Sequence, residues 1–194
     1  MTMDSKKKGL FIGLGIATLV VIILIVSMIS TYNGLVEKQE AVKTAEAQVQ
    51  TYLQRRADLI PNLVATVKGY AAHEEEVYTA LADARAKLNS ATTTQEYADA
   101  NAELDSALSR LLVIVESYPE LKTDETYRGL MDQLEGTENR IATARKDYNE
   151  IVTVYNTAIK KFPTVIFAKM FGFEEATRFE ASAEAQTAPS VSLE

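Results

Sequence analysis

One histidine, His73, and no cysteine are all the chain offers among the side chains that most often exchange protons or bind transition metals near neutral pH. His73 precedes Glu74, Glu75 and Glu76, a string from which a Ser-His-Asp relay would have to be drawn. Acidic residues at that place also answer the positive end of a helix dipole, and that structural role is the simpler reading. A ferritin-like di-iron bundle needs Glu-x-x-His on two helices, hence two histidines, so a single histidine excludes it. The remaining carboxylates form no calcium loop, Asp124-Glu125 reads as a helix start, and there is no Gly-rich phosphate cradle. We therefore expect no catalytic, cofactor-binding or metal-binding residue. The rival is an enzyme or metal carrier using acidic surface residues.

The more unusual residues are polar ones set into apolar seams. In "YLQRRADLIPNLVATVKGYAAHEEEV", Tyr52 to Val77, the positions Val42, Val49, Leu53, Ile60, Leu63, Val67 and Tyr70 keep one helical phase across Pro61. This predicts one long helix kinked at the proline. Its seam position between Leu53 and Ile60 is Arg56. Pro61 lacks an N–H, which leaves the Ala57 carbonyl without its helical partner at the same level. A matching notch, "LEGTENRI", interrupts the seam of a later helix with Gly136, Thr137, Glu138, Asn139 and Arg140.

Four helices must position these notches. Tyr127, Leu130, Leu134, Thr137, Ile141, Ala144, Tyr148, Ile151, Tyr155, Ala158 and Phe162 alternate three and four apart, predicting a helix from about Asp124 to Phe162. Tyr97, Asn101, Leu104, Leu108, Leu111, Val115 and Tyr118 mark another, opened by a capping box at Thr93 and Glu96 and stopped by Pro119. A shorter one, roughly His73 to Leu88, uses Val77, Leu81, Ala84 and Leu88. Strand signals are absent, so the expected class is all-α: an N-terminal transmembrane helix and then an elongated antiparallel four-helix bundle over 31–162. In that topology the first and fourth helices run antiparallel. Arg56 lies 25 positions past Thr31 and Glu138 lies 24 before Phe162, placing both about 36–38 Å from the same end. A polar layer of Arg55 or Arg56 with Glu138 and Asn139 is expected, a register device of the kind buried polar groups can supply. The alternative is that the arginines reach solvent along the helix flank.

The anchor is "GLFIGLGIATLVVIILIVSMIS", residues 9–30, with no charge from Gly9 until Glu37. About 20 apolar residues suffice to cross a bilayer, and no A-x-A-like cleavage site follows. A basic stub, residues 1–8 with Lys6, Lys7 and Lys8, flanks one end, and only Lys38 and Lys43 follow the other closely. The positive-inside rule then favours an N-terminus in the cytoplasm and the bundle outside. Gly9, Gly13 and Ala17 recur every four residues, either a helix-packing face or the ordinary small residues of such spans. The net charge of −7, more negative still once the stub is set aside, argues against nucleic acid as a partner.

After Pro163, "TVIFAKMFGFEEATRF" gathers apolar and aromatic residues, among them Phe167, Phe171 and Phe173, with Lys160, Lys161 and Lys169 nearby. Residues 163–180 form an amphipathic segment that either lies in the lipid interface or folds back to cap the bundle. Residues 181–194 are small and polar, as mobile tails are.

The segments "YNGLV", "QRRADLIPNLVATVKGYAAHE", "ENRIATARKDYNEIVTVYNTAIKKFP" and "FGFEEATRFEA" resemble the LemA family over about residues 32–181. Departures are Thr164-Val165 after "FP", where the family often has Gly-Asn, and the ending "PSVSLE". The resemblance implies a bacterial membrane-anchored helical bundle and implies no particular reaction. The expectation is a single-pass protein of the bacterial inner membrane that, without a cofactor, binds envelope proteins or copies of itself by coiled-coil-like packing, its other partner being the bilayer.

Overall fold

The computed structural model of the protein describes residues 5–180, with side chains from residue 13 onward. Residues 1–4 of the basic stub and the expected tail at 181–194 lie outside the described residues, as do the side chains of the rest of the stub. The chain is all-α. Among the described residues there are five α-helices, α1 Ser5–Lys68, α2 Glu75–Ser90, α3 Thr94–Glu116, α4 Glu125–Lys160 and α5 Thr164–Phe171, with a 3-10 turn at Leu121–Thr123. No strand occurs among the described residues.

The helix ends follow from local chemistry. Thr93 Oγ1 accepts the Glu96 N–H at 3.2 Å, and Glu96 accepts the Thr93 N–H at 3.1 Å and the Thr92 N–H at 2.7 Å. These bonds, the Thr92 N–H foremost, hold the Glu96 carboxyl below the usual carboxylate range. At the start of α4, Asp124 accepts the Tyr127 N–H at 2.9 Å and is lowered chiefly for that reason. Helix α5 ends at Gly172, whose φ of 74° is a left-handed conformation suited to glycine. Helix α1 runs unbroken through Pro61.

Contacts divide the described residues into two compact units: residues 5–41 with Thr153–Ala176, and Val42–Val152 with residues 177–180. In the first, α1 carries an 18-residue window of mean hydropathy 2.6, none of it buried. Leu14, Ile16, Leu19, Ile23, Leu24 and Val26 stand out on all sides of the helix. A helix that is apolar all round belongs in an apolar medium, since each such side chain left in water forgoes about 1.5–3 kcal/mol. Leu35, Tyr155, Ile159 and Ala168 are the buried apolar residues of this unit.

The second unit has the amphipathic core. Val42, Val49, Leu53, Ile60, Leu63 and Val67 of α1 are buried, as are Leu81 and Leu88 of α2, Leu104 and Leu111 of α3, and Leu134, Ile141 and Tyr148 of α4. Two expectations shift. Tyr78 rather than Val77 opens the buried face of α2. Beyond Tyr148 the buried stripe of α4 advances by one residue, through Val152, Tyr155, Asn156 and Ile159, in place of Ile151 and Ala158. Phe162, expected to close that seam, is 82% exposed, because α4 has already ended at Lys160.

Candidate functional site

Positions 42, 49, 56 and 63 of α1 fall seven apart, and the first, second and fourth hold Val42, Val49 and Leu63. Seam geometry therefore drives Arg56 inward despite its charge. It is 4% exposed. Its Nη1 donates to Asn101 Oδ1 at 2.7 Å and lies 3.1 Å from Glu138 Oε2, and its Nη2 pairs with Asp105. Asn101 Nδ2 in turn donates to Asp105 Oδ2 at 3.1 Å, so the two α3 residues hold each other in place. Arg56 is thus bound by α3 from one side and α4 from the other. The carboxylates keep roughly half their side-chain surface in water, 48% for Asp105 and 46% for Glu138. The guanidinium bears most of the desolvation, its Nε buried without a hydrogen-bond partner, and Glu138 shares in it through Oε2, which is buried where it faces Arg56.

Arg56 and Glu138 meet. Arg55 is exposed, and Asn139 is exposed too, lining an open groove of about 430 Å³ with Gln48, Tyr52, Arg140, Thr143 and Asp147. The Ala57 carbonyl, freed by Pro61, accepts from neither of these arginines. Arg85 Nε of α2 donates to it at 3.0 Å. Sequence reading missed Asn101 and Asp105 as partners, although an asparagine in the α3 seam facing a seam arginine was the available signal.

A second polar construction went unforeseen. After Gly172 the chain runs extended beside α4. In the first unit, Asn156 brackets the main chain of Ala176, donating to its carbonyl at 2.8 Å and accepting its N–H at 2.9 Å. Tyr155 Oη donates to the Glu174 carbonyl at 2.9 Å, and Lys160 pairs with Glu175 at 2.7 Å. In the second unit, Asn149 brackets Phe179 in the same way at 2.8 and 2.9 Å, and Tyr148 Oη donates to the Thr177 carbonyl at 2.7 Å. The Phe179 ring meets Tyr148 edge-on at 5.1 Å and lies under Arg145 at 5.2 Å. The sequence signal is a Tyr-Asn pair repeated seven residues apart. Seven helical residues rise ~10.5 Å, close to the ~9–10 Å of three extended ones, so Asn149 and Asn156 meet residues three apart. Burial pushes the Tyr148 and Tyr155 phenols above the usual range, which keeps both as donors.

The other candidate residues are placed as follows. Gly13 and Ala17 are exposed on α1. Phe167 and Phe173 are half-buried and Phe171 is exposed. Tyr32 of α1 meets Phe171 at 4.9 Å and Phe173 at 5.8 Å, both edge-on. Among the described residues no three or more His, Asp or Glu side chains are grouped to hold a metal ion. His73 is exposed, next to the acidic start of α2.

These features define a class: an all-helical protein with, among the described residues, one helix long and apolar enough to cross a membrane, and with built polar sites that join its own segments. The chain belongs to the LemA family, whose model matches residues 45–193. It is 28% identical over 191 residues to the magnetosome protein MamQ 2 of Paramagnetospirillum magneticum, covering 85% of this chain and 70% of that one. The magnetosome protein MamQ of Magnetospirillum gryphiswaldense is 27% identical over 192 residues, covering 86% and 71%. Protein LemA of Metamycoplasma hominis is 24% identical over 151 residues, covering 77% and 69%.

Proposed function

We propose that the protein is a single-pass scaffold of the bacterial cell envelope, anchored by α1, which binds other envelope proteins or copies of itself and catalyses no reaction. The observation that carries this reading is the contrast along α1. Its apolar window is wholly unburied, while the same helix from Val42 onward packs a core. Family membership supports it, and the names of the MamQ relatives give an organelle and no reaction. The finer arrangement, an antiparallel four-helix bundle, belongs to the same proposal and is supported by the contacts of α1 with α2, α3 and α4 at Arg85, Asn101 and Glu138. By charge around the span, the N-terminus lies in the cytoplasm and the helices after the span lie outside.

Two measurements test the reading. Protease added to intact spheroplasts digests α2 to α4 if the orientation is right, and full protection reverses it. A photocrosslinker at Val113, 71% exposed on α3, yields discrete higher-mass adducts in the intact membrane if this face docks a partner. Monomer alone from Val113 and a series of other exposed positions, with stoichiometric metal in the purified protein, would overturn scaffolding in favour of the acidic-surface rival.

A further inference from the structure

We propose that the outer face of α5, with Phe162 just before it, is a second membrane-contacting site, seated at the acyl–headgroup boundary of the bilayer that α1 crosses. This rests on the membrane reading of α1 and adds a surface to it. Within the first unit α5 has two sides. Ala168 is buried, whereas Ile166 and Met170, four residues apart on one face, are 56% and 58% exposed. At ~100° per residue, position 168 lies about 200° from both, so the apolar face is turned away from the protein. Phe162, two residues before α5 begins, is 82% exposed as well. Contiguous apolar side chains of this size are rare on a surface that meets only water.

The position of α5 along α1 identifies the occupant. Tyr32 holds Phe171 and Phe173 by its ring, and it stands two residues beyond Ser30, the end of the apolar run. That offset is about 3 Å of helix rise, the level at which tyrosines gather at membrane surfaces. Lys161, just before Phe162, and Lys169, next to Met170, are both exposed. Their stems can lie along the acyl boundary while their ammonium groups reach phosphate headgroups. Apolar face, adjacent lysines and depth all fit a helix lying in the interface.

The chain has no tryptophan, so single-tryptophan variants of the full-length protein report depth directly. Ile23→Trp, Phe162→Trp, Met170→Trp and Val113→Trp would each be reconstituted into phosphatidylcholine–phosphatidylglycerol vesicles with lipids brominated near the headgroup or near the chain end. Phe162→Trp and Met170→Trp should lose roughly half of their emission or more to the shallow bromines and less to the deep ones, as a face buried about 5–10 Å requires. Val113→Trp should be unquenched. If Ile23→Trp is quenched by deep bromines while Phe162→Trp and Met170→Trp are not, the α5 site is wrong and the anchor stands. A blue-shifted but unquenched Phe162→Trp, reverting on dilution with lipid, would mean that a second copy covers the face and would also overturn the site. An unquenched Ile23→Trp removes the anchor and this inference with it.

Discussion

The Arg56 cluster and the Tyr-Asn pairs of α4 both put polar atoms into apolar seams, and they do so with opposite chemistry. Arg56 is a buried full charge whose counter-ions stay half in water. Asn149 and Asn156 are neutral amides that give a main-chain N–H and carbonyl the partners a neighbouring strand would give. The first joins helix to helix and depends on which charges are present. The second joins helix to extended chain and depends only on hydrogen-bond geometry. A charged device should therefore be unequal in its parts, and a neutral one should be indifferent to salt.

The largest effect expected breaks the charged side of that comparison. Asp105→Asn with Glu138→Gln leaves the Arg56 guanidinium buried with no carboxylate, costing about 3–5 kcal/mol. Either substitution alone leaves the other carboxylate in place and should cost about 1 kcal/mol or less, since both acids are half-exposed. Thermal melts of the full-length protein in detergent, taken as a double-mutant cycle, measure the coupling. Additive losses would remove the cluster as a unit.

Next comes Asn156→Leu, which keeps the apolar seam filled but strips the Ala176 N–H and carbonyl of their partners, a loss of about 1–3 kcal/mol. Amide exchange at Ala176 should accelerate with protection in α2 and α3 unchanged, and the loss should be the same at low and high salt. A salt-dependent loss would erase the distinction drawn above. Smaller again is Arg56→Met, which fills the seam and frees both carboxylates to hydrate. It leaves mainly Asn101 Oδ1 unpaired, about 1 kcal/mol. A loss equal to that of the double acid variant would show that the cluster is symmetric after all.

The smallest effect concerns the exposed caps. The Glu96 and Asp124 carboxyls are lowered by hydrogen bonds in the folded chain. Each cap's contribution is therefore present above the ordinary carboxylate range and fades as pH falls through the folded value. Protection of the Thr92, Thr93 and Tyr127 amides, which donate to these two carboxylates, taken relative to intrinsic exchange at each pH, should be flat above that range and should fall only below it. Protection that persists to the lowest pH would show that the carboxylates are not what holds those turns.

Legibility in the sequence tracked the distance over which a contact acts. The Thr93–Glu96 capping box spans three residues, and the structure forms it between the same two residues. The all-α class and the apolar anchor stretch were readable because periodicity and run length are local properties. Arg56 was visible as a break in a seven-residue rhythm, but its α3 partners were not. Any of several helices can offer a carboxylate, and only packing chooses Asp105. The Ala57 carbonyl was visible as an orphan of Pro61, while its donor, Arg85, comes from 28 positions further on. The extended segment gave least warning, because its recognition runs through main-chain atoms that every residue carries.

That last property sets what can change in the protein's descent. Ala176 and Thr177 are held by their peptide groups, so their side chains are not read, and substitutions there can accumulate while the path of the chain is kept. The exceptions are set by chemistry. Proline is barred at 176 and 179, where an N–H is spent on an asparagine. Position 179 also needs a ring for Tyr148 and Arg145. The asparagines themselves are tightly constrained, since neither aspartate nor leucine offers both a donor and an acceptor at that reach. The grip is thus written into α4, and at Ala176 it acts on the peptide group and not on the side chain.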